Sequence, residues 1–415
     1  MKNEKSSVKK TSAHEAWFPI KGGVTAPEGY TASGVAAGIK RKGLDIAVVF
    51  STKPAIAAGV FTQNLVQAAP VVLSRENLRL SRGRAQAILI NSGCANACTG
   101  SQGTKDALLS LSTLASLLNA APEQTLVAST GVIGAFLPMP KMLNGIKSAV
   151  SSLSSEGGHD AALAIMTTDT KEKIVAFEGK IGGKTARIGG MAKGSGMIHP
   201  DMATMLSVIT TDVKISHGDL QKVLRRATER TFNCLTVDGD TSTNDTVFVM
   251  ANGVSGAEAK DVESLATFEK GLTLVCRELA KSIARDGEGA TKFVEITVKG
   301  AVDFKSARMA AKAIAHSPLV KTALFGEELN WGRILCAVGY SKVSLNPNKV
   351  QLRINGIPIF RNGKPVTSTR SEAEKAMKEH DIAIEVELAE GKEAATVWTC
   401  DFSLEYVNIN AGYIS

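Results

Sequence analysis

The chain has 415 residues, 44% of them hydrophobic and 21% charged, and carries a net charge of +8. That length predicts two or more packed lobes rather than one small core. The positive charge is scattered, aromatic residues reach only 5%, and no run approaches the ~20 apolar residues of a membrane helix, which argues against nucleic-acid binding and against membrane insertion.

In chain order, residues 1–15 are rich in Lys and Ser without an apolar core, which predicts a disordered tail rather than a secretory signal. The apolar runs 44–50 (LDIAVVF) and 85–91 (AQAILIN), bounded by Gly or Asn, read as buried strands. Helical spacing over 105–119 predicts a helix stopped at Pro122. Strands are expected at 124–129 and 205–211, and a long amphipathic helix at 261–286, ending at Gly287. Beyond about residue 290 the pattern changes. Apolar and polar residues alternate at 293–298, 350–354, 382–388 and 396–404, as in half-exposed antiparallel strands, with helices at 307–315 and 371–377. The expected organisation is a large α/β lobe over 16–290 and a smaller C-terminal α+β domain over 291–415. Six cysteines, at 94, 98, 234, 276, 336 and 400, form no Cys-x-x-Cys pair. Reduced thiols are expected rather than a zinc site or a disulfide framework.

Several catalytic signatures are missing, among them His-Glu-x-x-His, Gly-x-Ser-x-Gly and a helix-opening Gly-x-Gly-x-x-Gly. His199, next to Pro200, reads as structural. The stretch 179–185 (GKIGGKT) has its glycines one residue too close for a phosphate loop and is better explained as a hairpin turn. Ser6 and Lys9 fit Ser-x-x-Lys but fall in the tail. The acidic loop 238–245 (DGDTSTND) lacks the glycine and terminal Glu of a calcium loop, so a turn bonded through its own side chains is expected, at the edge of a site.

The segment 191–212 (MAKGSGMIHPDMATMLSVITTD) has a small-residue, glycine-rich stretch leading to Ala203-Thr204 and then an apolar strand. A threonine hydroxyl is a poor nucleophile without a base. Cleavage of the bond before Thr204 would free an α-amine with a pKa near ~8, tethered within reach of that hydroxyl. Composition alone favours a plain glycine-rich loop before a strand.

This segment is very similar to the self-cleavage motif of the ornithine acetyltransferases (glutamate N-acetyltransferases). Further motifs resemble the family in order: GGVTAPEGY at 22–30, AAGVFTQN at 57–64, NSGCANACTG at 91–100, STGVIG at 129–134, MTTDT at 166–170, TVDGDTSTNDT at 236–246, DGEGATKF at 286–293 and NWGRILCAVGYS at 330–341. The resemblance covers nearly the whole chain after the first ~15 residues.

It implies an α/β fold with a layered α-β-β-α-type sandwich lobe and a smaller C-terminal α+β domain, in a self-cleaving N-terminal-threonine enzyme. The scissile bond would be Ala203-Thr204, leaving an α chain of 1–203 and a β chain of 204–415. Thr204 would be the nucleophile, and Thr130 and Gly131 the oxyanion hole. Thr167, Lys193, Glu288 and Asn410 would contact substrate, the last from a C-terminal tail returning to the site. Ser415 stands where the family usually ends in threonine. The implied reaction moves acetyl from N2-acetylornithine to glutamate by a ping-pong cycle in arginine biosynthesis. No metal or organic cofactor is implied; some members also accept acetyl-CoA, and nothing in the sequence separates the two types. The cleaved chains of the family pair as α2β2. The location expected is the cytoplasm, or a plastid if the source is a photosynthetic eukaryote. Three alternatives remain: a self-processing aminopeptidase of the same fold, which would use a serine nucleophile, a non-catalytic binding protein that kept the fold, and an acetyl-CoA-dependent synthase without recycling activity.

Overall fold

A computed structural model describes residues 17–199 and 205–412. Strand β1 (Phe18–Ile20), β2 (Tyr30–Val35) and the long β3 (Ile46–Phe61) come first. They are followed by α1 (Ala69–Leu80), β4 (Arg84–Cys94), α2 (Gly100–Leu118), β5 (Thr125–Val132), α3 (Met139–Ser151) and α4 (Gly158–Ala164). Next come β6 (Lys173–Ile181), β7 (Lys184–Lys193), β8 (Leu206–Thr211), the short β9 (Lys214–Ile215) and α5 (His217–Arg230). Strands β10 (Thr246–Ala251) and the short β11 (Glu258–Ala259) then lead to α6 (Val262–Arg285).

The described residues form a nine-stranded sheet ordered β1-β6-β7-β8-β10-β3-β4-β5, with β2 also on β3. Strand β3 folds this sheet into two layers. Its first half pairs with β2 and β4, and its second half, 56–61, pairs with β10. The bend comes where the register on β4 shifts between Phe50 and Ala55, at Pro54, which has no N–H to give a ladder. That is why the strand expected at 44–50 runs on to Phe61.

Period-two alternation then sorts the side chains. Ala47, Val49, Ile88, Ile90 and Leu126 from one layer meet Leu206, Val208, Phe248 and Met250 from the other. On the outer faces, Ile46, Val48, Leu89 and Val127 pack on α2 and α3. Ile188, Ile209, Val247 and Val249 pack on α5 and α6. The order of layers is α-β-β-α, as the resemblance implied.

The remaining elements are β12 (Phe293–Ala301), α7 (Phe304–His316), α8 (Pro318–Phe325), α9 (Trp331–Gly339), β13 (Gln351–Ile354) and β14 (Ile357–Arg361). After them come β15 (Lys364–Pro365), α10 (Arg370–Ala376), β16 (Asp381–Glu387), β17 (Glu393–Cys400) and α11 (Leu404–Gly412). The strands form a second sheet, β15-β14-β13-β16-β12-β17. Its core is continuous with that of α5 and α6, so Val294, Ile296 and Val397 belong to one cluster with Leu272 and Leu279.

Helix α6 forms as its sequence predicts. Asp261 accepts the Ser264 N–H, the Ser264 side chain reciprocates, and the apolar stripe from Phe268 to Ile283 is buried. The stretch 179–185 is the β6–β7 hairpin, with Gly182 and Gly183 at φ +57° and +79°. The strand expected over 396–404 stops at Cys400, and Leu404 begins α11. All six cysteines are unbridged. Among the described residues no helix is long and apolar enough to cross a membrane.

Candidate active site

The parallel strands β4 and β5 end side by side, and their pairing breaks into a bulge where Cys94 faces both Thr130 and Val132. Gly131 sits there at φ +126°. A Cβ on it would lie 2.6 Å from the Cys94 nitrogen and nearer still to the Gly93 carbonyl carbon. Only glycine fits this position. Side chains pin the strand end from beneath. Asn244 Nδ2 donates to the carbonyls of Ala95 (2.6 Å) and Ser129 (2.8 Å), and Ser129 Oγ donates to Asn91 Oδ1 (2.6 Å).

Lys193, the last residue of β7, is buried and donates from Nζ to Thr130 Oγ1 at 3.2 Å. Burial lowers its pKa, opposed mainly by the charge of Asp169. Burial would raise the Asp169 carboxyl, but Lys193 and Lys173 outweigh it and hold the group down at about 2. Asp169 lies 2.6 Å from Lys173 Nζ and accepts the backbone N–H groups of Gly194 (2.7 Å) and Thr167 (3.0 Å). Lys173 also meets Asp286 at 2.6 Å. Asp286 caps the end of α6 and accepts from the backbone and hydroxyl of Thr170. A buried lattice of two lysines and two aspartates thus ties the loop after α4 to the ends of β7 and α6.

Glu288 follows at once. Its N–H donates to the Ser195 carbonyl (3.0 Å), and its carboxylate accepts from Asn410 Nδ2 of α11 at 2.8 Å. A Cβ on Gly196 would come within 2.5 Å of a Glu288 carboxylate oxygen, so the bare glycine lets the acid in. An open cleft results, lined by Thr130, Gly131, Thr167, Lys193, Glu288 and Asn410 among others. Six of the residues singled out from the sequence therefore converge from separate segments. Ala203, Thr204 and Ser415 lie outside the described residues, as do residues 1–15. Met205, next to Thr204 in the chain, lines the same cleft.

The acidic loop 238–245 is a turn held by Asp238, which accepts the N–H groups of Met197 (2.7 Å) and Ile198 (2.9 Å). Its last residues, Ser242 to Asp245, form one wall of the cleft. His199 is not among the lining residues. It packs edge-on against His316 at 4.0 Å, and burial takes its pKa down to about 4, leaving it neutral. Asp169, Lys173, Asn244 and Asp245 were not singled out individually, although the motifs MTTDT and TVDGDTSTNDT contain three of them. Among the described residues no three His, Cys, Asp or Glu side chains are grouped to hold a metal ion. A buried cation and a buried carboxylate facing one cleft suit a zwitterionic amino acid, and a strand-end glycine beside a hydroxyl suits an acyl oxygen.

The sequence model of the ArgJ family matches residues 31–415. The chain is 49% identical over 399 residues to the arginine biosynthesis bifunctional protein ArgJ of Symbiobacterium thermophilum, covering 95% of this chain and 99% of that protein. It is 47% identical to the protein of the same name from Thermosynechococcus vestitus, over 96% and 99% of the two chains. A solved structure of ornithine acetyltransferase complexed with ornithine, from Mycobacterium tuberculosis, is 43% identical with a TM-score of 0.43, covering 45% of this chain and all of that one.

Proposed function

The chain belongs to the ArgJ family, and from that premise we propose that it transfers acetyl from N2-acetylornithine to L-glutamate through an acetyl-threonine at Thr204. The bond between Ala203 and Thr204 is cut by the chain itself, giving an α chain of 1–203 and a β chain of 204–415. Thr204 then attacks the acetyl carbonyl, the oxyanion rests on Thr130 and Gly131, and ornithine leaves. Glutamate enters the vacated pocket and removes the acetyl group. Thr167, Lys193, Glu288, Asn410 and Ser415 hold substrate: Lys193 takes the α-carboxylate, and Glu288 receives an ammonium or orients the reacting amine.

No metal or organic cofactor takes part, and acetyl-CoA serves as a second donor. The cut chains stay together as a cytoplasmic α2β2 assembly. The observation that carries this reading is the meeting of Lys193, Thr130-Gly131 and Glu288 in the cleft lined by Met205, the residue bonded to Thr204.

The test is a denaturing gel with intact-mass analysis, beside a Thr204→Ala variant. Two chains of 203 and 212 residues (415 − 203 = 212), the second beginning at Thr204, are expected only in the wild type. Acetyl transfer from acetylornithine to glutamate, with acetyl-CoA as competing donor, follows. A wild type that stays whole would overturn the mechanism and favour a binding protein. Release of amines from peptide-like substrates would favour the aminopeptidase.

A further inference from the structure

Lys173 takes no part in the steps above, yet it joins the three segments that carry Thr167, Lys193 and Glu288. It opens β6, and its side chain is 2% exposed. Its Nζ meets Asp169 and Asp286 at 2.6 Å each and the Lys171 carbonyl at 3.3 Å. An ammonium has three hydrogens, and these three acceptors take them all.

Each carboxylate in turn holds backbone beside the cleft. Asp169 accepts the N–H of Thr167, a lining residue, and that of Gly194, next to Lys193. Asp286 accepts the Thr170 N–H and stands two residues before Glu288, and its carbonyl accepts from Ser195 Oγ at 2.6 Å. Lys193 and Glu288 bring opposite charges into the cleft from these segments. Without the Lys173 cation between them, the two buried carboxylates would repel, and the segments they hold would part.

We infer that Lys173 is a positioning residue for substrate recognition: by joining Asp169 to Asp286 it fixes the span from the Lys193 ammonium to the Glu288 carboxylate, and with it the length of the zwitterionic amino acid the cleft accepts. This rests on the proposed reading of the cleft as an ornithine site. Lysine is one methylene longer than ornithine, and 2,4-diaminobutyrate is one shorter. A rigid span tells them apart, since one methylene in a fitted pocket is worth about 10- to 200-fold. A slack span does not.

The same arrangement has an electrostatic signature. Burial is the largest influence on Lys193 and lowers its pKa; Asp169 after α4, Asp245 before β10 and Glu288 beyond α6 oppose that, and the Lys173 cation adds to it. Lys40, between β2 and β3, is a further cation that repels Lys193. Deleting the Lys173 charge therefore moves the loss of the Lys193 cation to higher pH.

The experiment is calorimetric titration of wild type, Lys173→Met and Lys173→Met/Asp286→Asn with ornithine, lysine and 2,4-diaminobutyrate. The double variant removes opposite charges together, and it serves if the single one, left with a surplus buried charge, fails to fold. Wild type is expected to bind ornithine at least ~10-fold more tightly than either homologue, and the variants should bring that ratio within ~3-fold. The alkaline limb of ornithine binding should move up by about half a pH unit or more in the variants. The ligand is common to all three proteins, so its own titration cancels. A merely structural residue would weaken the three ligands alike and leave the limb in place. A wild type that binds ornithine without discriminating by length overturns the inference, as do variants that keep the wild-type ratio or limb; either result leaves the proposed function standing. A wild type that binds none of the three amino acids overturns both.

Discussion

Replacing Asp169 by asparagine removes one charge from the buried lattice while keeping its shape. In the wild type the Asp169 carboxyl is held at about 2 against an ordinary 3.8, a difference worth about 2–3 kcal/mol in favour of the ionised folded state. A depressed carboxyl contributes stability that is complete above its unfolded pKa and is lost as pH falls through the folded one. That contribution should be full at pH 7 and pH 5, and roughly half gone at pH 3. Asp169→Asn leaves Lys173 with Asp286 but takes from Lys193 its largest favourable neighbour. The expected loss at pH 7 is therefore at the upper end, about 3 kcal/mol. Guanidinium unfolding of both proteins at the three pH values measures the gap. A gap that is equal at pH 5 and 7 and shrinks at pH 3 supports the lattice. A gap that is absent at pH 7, or constant down to pH 3, refutes the reasoning.

Gly131→Ala should lower both self-cleavage and acetyl transfer by at least ~100-fold, because the new methyl collides with the β4 backbone and displaces the proposed oxyanion site; timed gels and initial rates check it, and near-wild-type rates would refute it. Gly196→Ala pushes the Glu288 carboxylate away from Asn410, and steady-state kinetics should show a raised KM for ornithine-side substrates with a smaller change in kcat. Burial lowers the Lys193 pKa, opposed mainly by the charge of Asp169, so its cation is lost as pH rises through a value below the usual 10.5. KM for glutamate should accordingly climb before that point in an alkaline titration, and a flat KM across the range would exclude Lys193 as the carboxylate's partner.

Much of the scaffold was legible because its causes are local. The apolar stripe and cap of α6, the glycine pair of the β6–β7 hairpin and the apolar runs of β4 and β8 each depend on neighbours a few residues away. Helices α1 and α5 carried local signals too, Pro70 at the first turn and a Ser216 cap accepting the Asp219 N–H. The resemblance carried the six residues that line the cleft.

Tertiary structure decided the rest. The bend in β3 that turns one sheet into two layers comes from a change of partner, β2 for β10, that no window of sequence contains. Lys173 and Asp286, 113 residues apart, and Asp169 beside them read singly as solvated charges and become a buried lattice only once three loops meet. The burial of Asp245 in the cleft wall is likewise a property of what surrounds it. Residue type and local spacing establish which groups the chain offers. Burial, which sets their charge and their need for partners, is non-local, and only the packed fold supplies it.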